Sequence, residues 1–469
     1  MENKRYTRRK FLGTASCAAV GSTTFFSTLF NLQSLNAASS LNSLATAGGE
    51  DYRALVCILL DGGNDSYNMI VPTDNDPYNE YQSARTNLAI PKADLLEVTA
   101  ANSGRRFGFH PSMPEVQALF NSGKLGIISN IGTLVRPVTS IADYNSGVNL
   151  PQGLFSHNDQ VHHWMTSVPQ SRFATGWGGR LADLVQSANA NANVSMNISL
   201  AGKNVFQLGN QVAEYSILPT TTGSVGIAGY RGQSAFDQIR TAAVNSLLER
   251  QYQDIFRQSY SEVVQASQNT HELFSSTISG QDVSTAFSEE ELSQNLRMVA
   301  RTIRIRQQLG IRRQTFFVRY QGWDHHSELL NAQSEMLAVL SRGMNEFQTS
   351  IEELGIQDCV TTFTVSDFGR TLSSNGNGTD HAWGSNVMVM GSQVKGQSVY
   401  GDYPTLSLTS SKALQGGVLI PDISTDEYYA ELALWFGVNA SDLSTLFPNI
   451  GNFYATGSGT APIGFMNIL

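Results

Sequence analysis

Three apolar runs with strand composition each lead to an aspartate: residues 55–60 before Asp61, 315–320 shortly before Asp324, and 360–365 before Asp367. In an open α/β sheet the carboxyl ends of parallel strands converge on one edge, so aspartates placed there meet although hundreds of residues separate them. The pattern predicts such a sheet. Between the second and third runs, residues 327–354 carry helical periodicity, and strand, long helix, strand is the mark of a parallel crossover. Further along the chain, 111–122 is expected as helix, 124–131, 194–200 and 386–390 as strands, and 426–436 as a terminal helix. Residues 234–310 are amphipathic and helical with a break at Ser279-Gly280-Gln281, which predicts a helical insertion in a single α/β domain spanning 51–469.

The N-terminus carries Thr7-Arg8-Arg9-Lys10-Phe11-Leu12, a twin-arginine pattern, then an uncharged stretch to Leu35 and the small residues Ala37, Ala38 and Ser39. Residues 1–38 are therefore expected to be an export signal, and the working protein periplasmic or extracellular. The alternative, an uncleaved membrane anchor, is disfavoured by the Ser, Thr, Asn and Gln content of the stretch. No later stretch is apolar for long enough to span a bilayer. Removing residues 1–38, with five basic residues and one acid, moves the formal charge from −9 to −13. An acidic chain without a basic stripe excludes nucleic acid as a partner. Of three cysteines, Cys57 and Cys359 fall in or beside apolar strands and are expected as inert core thiols.

Seven of the eight histidines (110, 157, 162, 163, 325, 326 and 381) fall in segments that follow strands or in the irregular stretch 132–180. With three strand-end aspartates they form a ligand set suited to a divalent cation, Zn or one of Mg, Mn and Ca. In Asp324-His325-His326, positions 324 and 326 share one side of an extended backbone and His325 points away. Asp380-His381 follows a glycine-rich turn that can deliver His381 to the same rim, with Asp380 either a ligand or a carboxylate orienting an imidazole. Arg370, in Asp367-Phe368-Gly369-Arg370-Thr371, is open between receiving an anionic substrate group and a structural ion pair. Ser156-His157 offers a nucleophile with an adjacent base, although Ser156 equally suits a helix N-cap.

These motifs resemble a family of exported bacterial proteins of unknown function, often with twin-arginine signals, in the alkaline phosphatase and sulfatase superfamily. The resemblance is carried by Leu60-Asp61-Gly62-Gly63-Asn64-Asp65, Ser156-His157, Thr175-Gly176-Trp177, Gly322-Trp323-Asp324-His325-His326, Ser366-Asp367-Phe368-Gly369-Arg370-Thr371, Thr379-Asp380-His381-Ala382-Trp383-Gly384 and Val399-Tyr400-Gly401-Asp402-Tyr403-Pro404. It implies an alkaline phosphatase-like sheet with helices on both faces and a metal-dependent hydrolase of phosphate or sulfate esters. The substrate would be an anionic small molecule or polymer. It further implies Asp61, Ser156 and Asp367 at one cation and Asp324, His326 and His381 at another, with Ser156, His157 and Arg370 catalytic. The chain departs from the superfamily at Phe368, where a histidine is usual. The first site is then weak, filled by Asp380 instead, or lost. A non-catalytic binding or assembly protein reusing the fold is the rival expectation.

Overall fold

The structure, a computed structural model, describes residues 51–191 and 194–468, so the twin-arginine segment and Cys17 lie outside the described residues. A nine-stranded sheet organises the chain: β1 (Arg53–Asp61), β2 (Leu125–Gly132), β3 (Asn197–Ser199), β4 (Tyr215–Ser216), β5 (Arg313–Gln321), β6 (Val360–Ser366), β7 (Ser385–Met390), β8 (Ser398–Tyr400) and β9 (Ile423–Ser424). Their order is β8-β2-β7-β6-β1-β5-β3-β4, with β9 pairing at the end of β2. All pairings are parallel except those of β7, which runs antiparallel to both β2 and β6. The expectation of a mostly parallel sheet therefore holds, and the three aspartate-bearing runs are its central neighbours, β6-β1-β5. A smaller antiparallel sheet, Ile70–Pro72, Leu96–Thr99 and Arg106–Phe109, lies beside it.

Eight helices matter to the packing: α1 (Pro114–Asn121), α2 (His157–Thr166), α3 (Trp177–Val185), α4 (Ala235–Leu248), α5 (Ile255–Ile278), α6 (Glu291–Arg304), α7 (Leu329–Glu353) and α8 (Thr425–Phe436). Side chains alternate across a strand, so β1 sends Ala54, Val56, Ile58 and Leu60 to one face and Leu55, Cys57 and Leu59 to the other. The first face packs under α1, α6 and α7, the second under α3 and α8. Helices thus cover both faces, which is why the central strands are apolar throughout and not alternating. On α7 the buried stripe is Leu337, Leu340, Met344, Phe347 and Ile351, at the three- and four-residue spacing that keeps one helical face inward. Gly355, at φ 67°, follows its C-cap and lets the chain turn back toward β6. Cys57 and Cys359 are both buried and not joined in a disulfide, and burial pushes the Cys57 thiol well above its ordinary range, as expected of core thiols. Among the described residues no helix is long and apolar enough to cross a membrane.

Helix α8 starts from a capping box, Ser424 with Glu427, and stops at Gly437, at φ 109°. Its Asp426 accepts a hydrogen bond from Ser167 Oγ (2.5 Å), and Ser167 is the C-cap of α2. This contact anchors the far end of the helix that begins at His157. Burial is the main cause that pushes Asp426 up to about 7. An unfolded aspartate ionises near 4, so between about pH 4 and 7 the folded state holds a proton that the unfolded state has released. Folded-state stability therefore falls as pH rises through that window, by up to about 1.4 kcal/mol per pH unit from this group. Urea midpoints of the protein and of Asp426→Asn from pH 4 to 8 should show a descending difference that is absent if Asp426 ionises normally.

Candidate metal centre

The site grows from the carboxyl ends of β1, β5 and β6. Beyond Asp61 the backbone turns through Gly62 and Gly63, at φ 122° and 84°, a region that side-chain-bearing residues avoid. The ends are stitched together: the Asp61 carbonyl accepts from the N–H groups of Gly322 (3.2 Å) and Trp323 (3.1 Å), and Gly62 N–H donates to Asp367 Oδ1 (2.9 Å). A methyl group on Gly62 would lie 2.6 Å from the Asp324 nitrogen. Gly62→Ala should consequently displace Asp324, costing more than about 1 kcal/mol of stability. It should also weaken cation binding at least about tenfold without removing a ligand, measurable by metal titration.

Three further segments reach this edge. Helix α2 starts at His157, after Phe155 in a left-handed conformation at φ 73°. The chain after β5 brings Asp324 and His326. The glycine-rich turn 375–378 folds back so that 369–371 and 380–383 hydrogen-bond to each other, placing His381 opposite Arg370.

His157, Asp324 and His381 present ligand atoms that all lie within 4.8 Å of one another. His157 Nε2 is 3.0 Å from His381 Nε2, which is 2.9 Å from His326 Nε2. Asp324 Oδ1 is 3.1 Å from His326 Nε2 and 3.5 Å from His381 Nε2, and Oδ2 is 3.5 Å from His157 Nε2. The other nitrogen of each ring faces an oxygen that can only accept: His157 Nδ1 meets Asp367 Oδ2 (2.7 Å), His381 Nδ1 meets the Phe155 carbonyl (2.7 Å), and His326 Nδ1 meets Asp380 Oδ1 (3.3 Å). Each Nδ1 thus carries its proton, and in the neutral ring each Nε2 is a lone pair. The lone pairs of His157 and His381 and the Asp324 carboxylate, all within 4.8 Å of one another, repel unless a cation lies between them. His326 Nε2 flanks this group beside His381 and Asp324. The donor set fits a divalent cation.

Electrostatics supports the same set. Burial opposes ionisation of Asp324, but the hydrogen bond and charge of Arg370, followed by His157 and His326, outweigh it and hold the carboxyl below its ordinary range. The hydrogen bond that His157 donates to Asp367 raises His157 against burial, whereas burial lowers His381.

The other residues singled out in the sequence sit around this cluster in different ways. Asp367 has one oxygen on Gly62 N–H and the other on His157, so its carboxylate orients an imidazole. Asp380 does the same for His326. Asp61 turns its Oδ2 to Arg319 Nε (2.9 Å) and Nη2 (2.5 Å), and burial with the neighbouring Asp367 charge raises it. The structure thus does not gather Asp61, Ser156 and Asp367 into a second ligand cluster. Arg370 is fully buried: it donates to the carbonyls of Gly62, Gly63 and Thr379 and to Asp324 Oδ1 (2.5 Å), the ion-pair arrangement rather than an open anion receptor. Ser156 is the N-cap of α2, without a side-chain capping bond, and its hydroxyl lies toward the Asp159 carboxylate, which is held below its ordinary range. Both nitrogens of His157 are engaged elsewhere, leaving none for Ser156. His325 is buried against Trp323, away from the rim. His163 is buried on the Gln152 carbonyl (2.8 Å), and burial lowers His110 to about 4, so it stays neutral. The place of His157 in the cluster escapes sequence reading because Ser-His suggests a nucleophile and its base. Its place at the first turn of a helix beginning on the rim was the available signal.

Phe368 packs its ring 4.8 Å from His157 and 4.6 Å from His381, behind the two imidazoles. It fills the space next to Gly63, where a methyl group would come within 2.6 Å of it.

No curated protein matches this chain. Among solved structures, Ps i-CgsB in complex with k-i-k-neocarrahexaose is similar at TM-score 0.36 and 10% identity, over 86% of this chain and 77% of that one. The PsFucS1 sulfatase from Pseudoalteromonas sp. is similar at 0.33 and 11%, over 84% and 73%. The C-terminal periplasmic domain of EcEptC from Escherichia coli, a complex with Zn, is similar at 0.30 and 9%, over 74% and 75%. Scores this low leave the chemistry to the residues of this chain. Residues 52–430 match the family described as "Protein of unknown function (DUF1501)", and the chain belongs to that family.

Proposed function

We propose that this protein is an exported, metal-dependent hydrolase of phosphate or sulfate esters built on a single cation held by His157, Asp324, His326 and His381. The observation that carries the reading is that His157, Asp324 and His381 present ligand atoms within 4.8 Å of one another, with His326 beside them and each Nδ1 turned to an oxygen. A nitrogen-rich set of this kind suits Zn better than Mg or Ca. A bound divalent cation supplies Lewis acidity toward an anionic ester oxygen.

The surrounding residues have assignable tasks. Asp367, Asp380 and the Phe155 carbonyl keep the imidazoles in the ligating tautomer. Arg370 fixes Asp324, and Phe368 closes the back of the site to water. The N-terminus of α2 opens at the same rim, where its positive end favours an anionic substrate group. Ser156, at that N-terminus, is the proposed nucleophile, with the Asp159 carboxylate near its hydroxyl. Export by the twin-arginine route fits, because that route carries folded proteins with their cofactors in place.

The test is metal content and hydrolysis of generic phosphate and sulfate esters, with Asp324→Ala and Ser156→Ala as controls. About one bound cation is expected, with activity lost in Asp324→Ala and reduced at least about a hundredfold in Ser156→Ala. Metal-free protein, or equal rates in all three, removes the proposal. One observation favours a second reading, a binding protein with a structural cation: a buried, non-ligating ring, Phe368, packs against both His157 and His381. Full metal occupancy without turnover of any ester is the outcome belonging to that reading.

A further inference from the structure

Away from the metal centre, α4 and α5 form a helical hairpin whose outer surface is apolar. None of the 14 residues of α4 is buried. A helix of that length is marginal in water unless tertiary packing supports it. Phe236, Ile239 and Leu247 on α4 and Phe256, Tyr260 and Val263 on α5 are 58–82% exposed. Spacings of three, four, seven and eight residues keep each set on one side of its helix. With large side chains of roughly 150–250 Å², these six expose about 800 Å² of mostly apolar surface. That exceeds the roughly 300–600 Å² of the largest patch on an ordinary monomer and equals what one partner contributes to a standard protein interface.

Part of the patch is concave: Val244, Leu247 and Leu248 of α4 and Phe256, Tyr260 and Val264 of α5 line one groove of about 710 Å³. Phe236, Ile239 and Val263 lie outside that lining and stand exposed on the same segments. The surface thus has both a concave and a projecting part, which a two-fold pairing of like surfaces needs. Charge points the same way. Residues 227–279 hold four arginines, no lysine and five acids, so the hairpin neither repels its own copy strongly nor offers the basic excess that draws a helix to an anionic lipid surface.

We propose that the α4–α5 hairpin is a homodimer interface, at which two copies of this chain pair their hairpins as a four-helix bundle around a local two-fold axis. The inference is independent of the metal centre. Light scattering coupled to size exclusion, and sedimentation velocity, should show the full chain as a dimer in the micromolar range. Phe256→Asp and, separately, Ile239→Asp should each raise the dimer Kd by about a hundredfold or more. Both positions are solvent-exposed in the single chain, so circular dichroism and metal content should not change. A wild-type chain that stays monomeric overturns the proposal, as does a dimer indifferent to both substitutions. Cosedimentation of a monomeric wild type with anionic phospholipid vesicles would overturn it in favour of a lipid surface.

Discussion

Replacing Asp324 by alanine should empty the cation site and destabilise the fold in one step. Asp324 is the carboxylate of the cluster, and its Oδ1 also neutralises Arg370, whose side chain is wholly buried. After the substitution Arg370 keeps the carbonyls of Gly62, Gly63 and Thr379 but loses its counter-charge. Breaking a fully buried ion pair from one side costs about 3–5 kcal/mol. Here 46% of the Asp324 side chain is exposed, so solvent screening reduces the cost to about 2–3 kcal/mol. Metal analysis should fall from about one equivalent to none, and the urea midpoint should fall with it. The partners can be separated by adding Arg370→Met to Asp324→Ala. Removing the stranded guanidinium should restore part of the stability but none of the metal. Unchanged cation content in Asp324→Ala would mean that the three imidazoles do not share their ion with this carboxylate.

Fold and site were legible in the sequence to different depths, for physical reasons. A strand buried on both faces leaves a continuous apolar run, which is why β1, β5 and β6 could be read as strands of one sheet with their aspartates at one edge, whereas their adjacency is seen only in the structure. Long helix α7 announced itself by its stripe. Strand β7 looks like the others because direction in a sheet leaves no trace in a six-residue apolar run, yet it is the antiparallel member. Within the site, the chain reveals which residues reach the rim, but not where their ring nitrogens and oxygens point. Asp367 and His157 illustrate this. Both arrive as expected, but the aspartate spends its oxygens on Gly62 and His157, and the histidine turns Nε2 into the cluster. Arg370 likewise needed coordinates, since a guanidinium beside a strand end serves an anion or an internal clamp with equal ease.

Substitution of Phe368 should change how many cations this edge can hold. Its buried ring lies against His157 and His381, with the Arg370 guanidinium 5.6 Å from its centre. Phe368→Ala would leave a cavity behind both imidazoles, costing about 3–5 kcal/mol. Freed from that wall, the two rings should lose alignment and cation affinity should drop about 10- to 100-fold, as when an orienting partner is removed. Phe368→His has the opposite purpose. It offers a nitrogen near Asp61 and Asp367, two acids close enough that the charge of Asp367 raises Asp61. A second cation would relieve that repulsion, so the stoichiometry should rise from about one toward two. Ester hydrolysis should increase about tenfold or more, equivalent to about 1.4 kcal/mol of added transition-state stabilisation. A parent without turnover that becomes active in Phe368→His is an enzyme whose second site was closed by one side chain. A variant that still binds one ion and hydrolyses no faster assigns Phe368 to packing alone, and the three-histidine, one-aspartate centre is then complete as it stands.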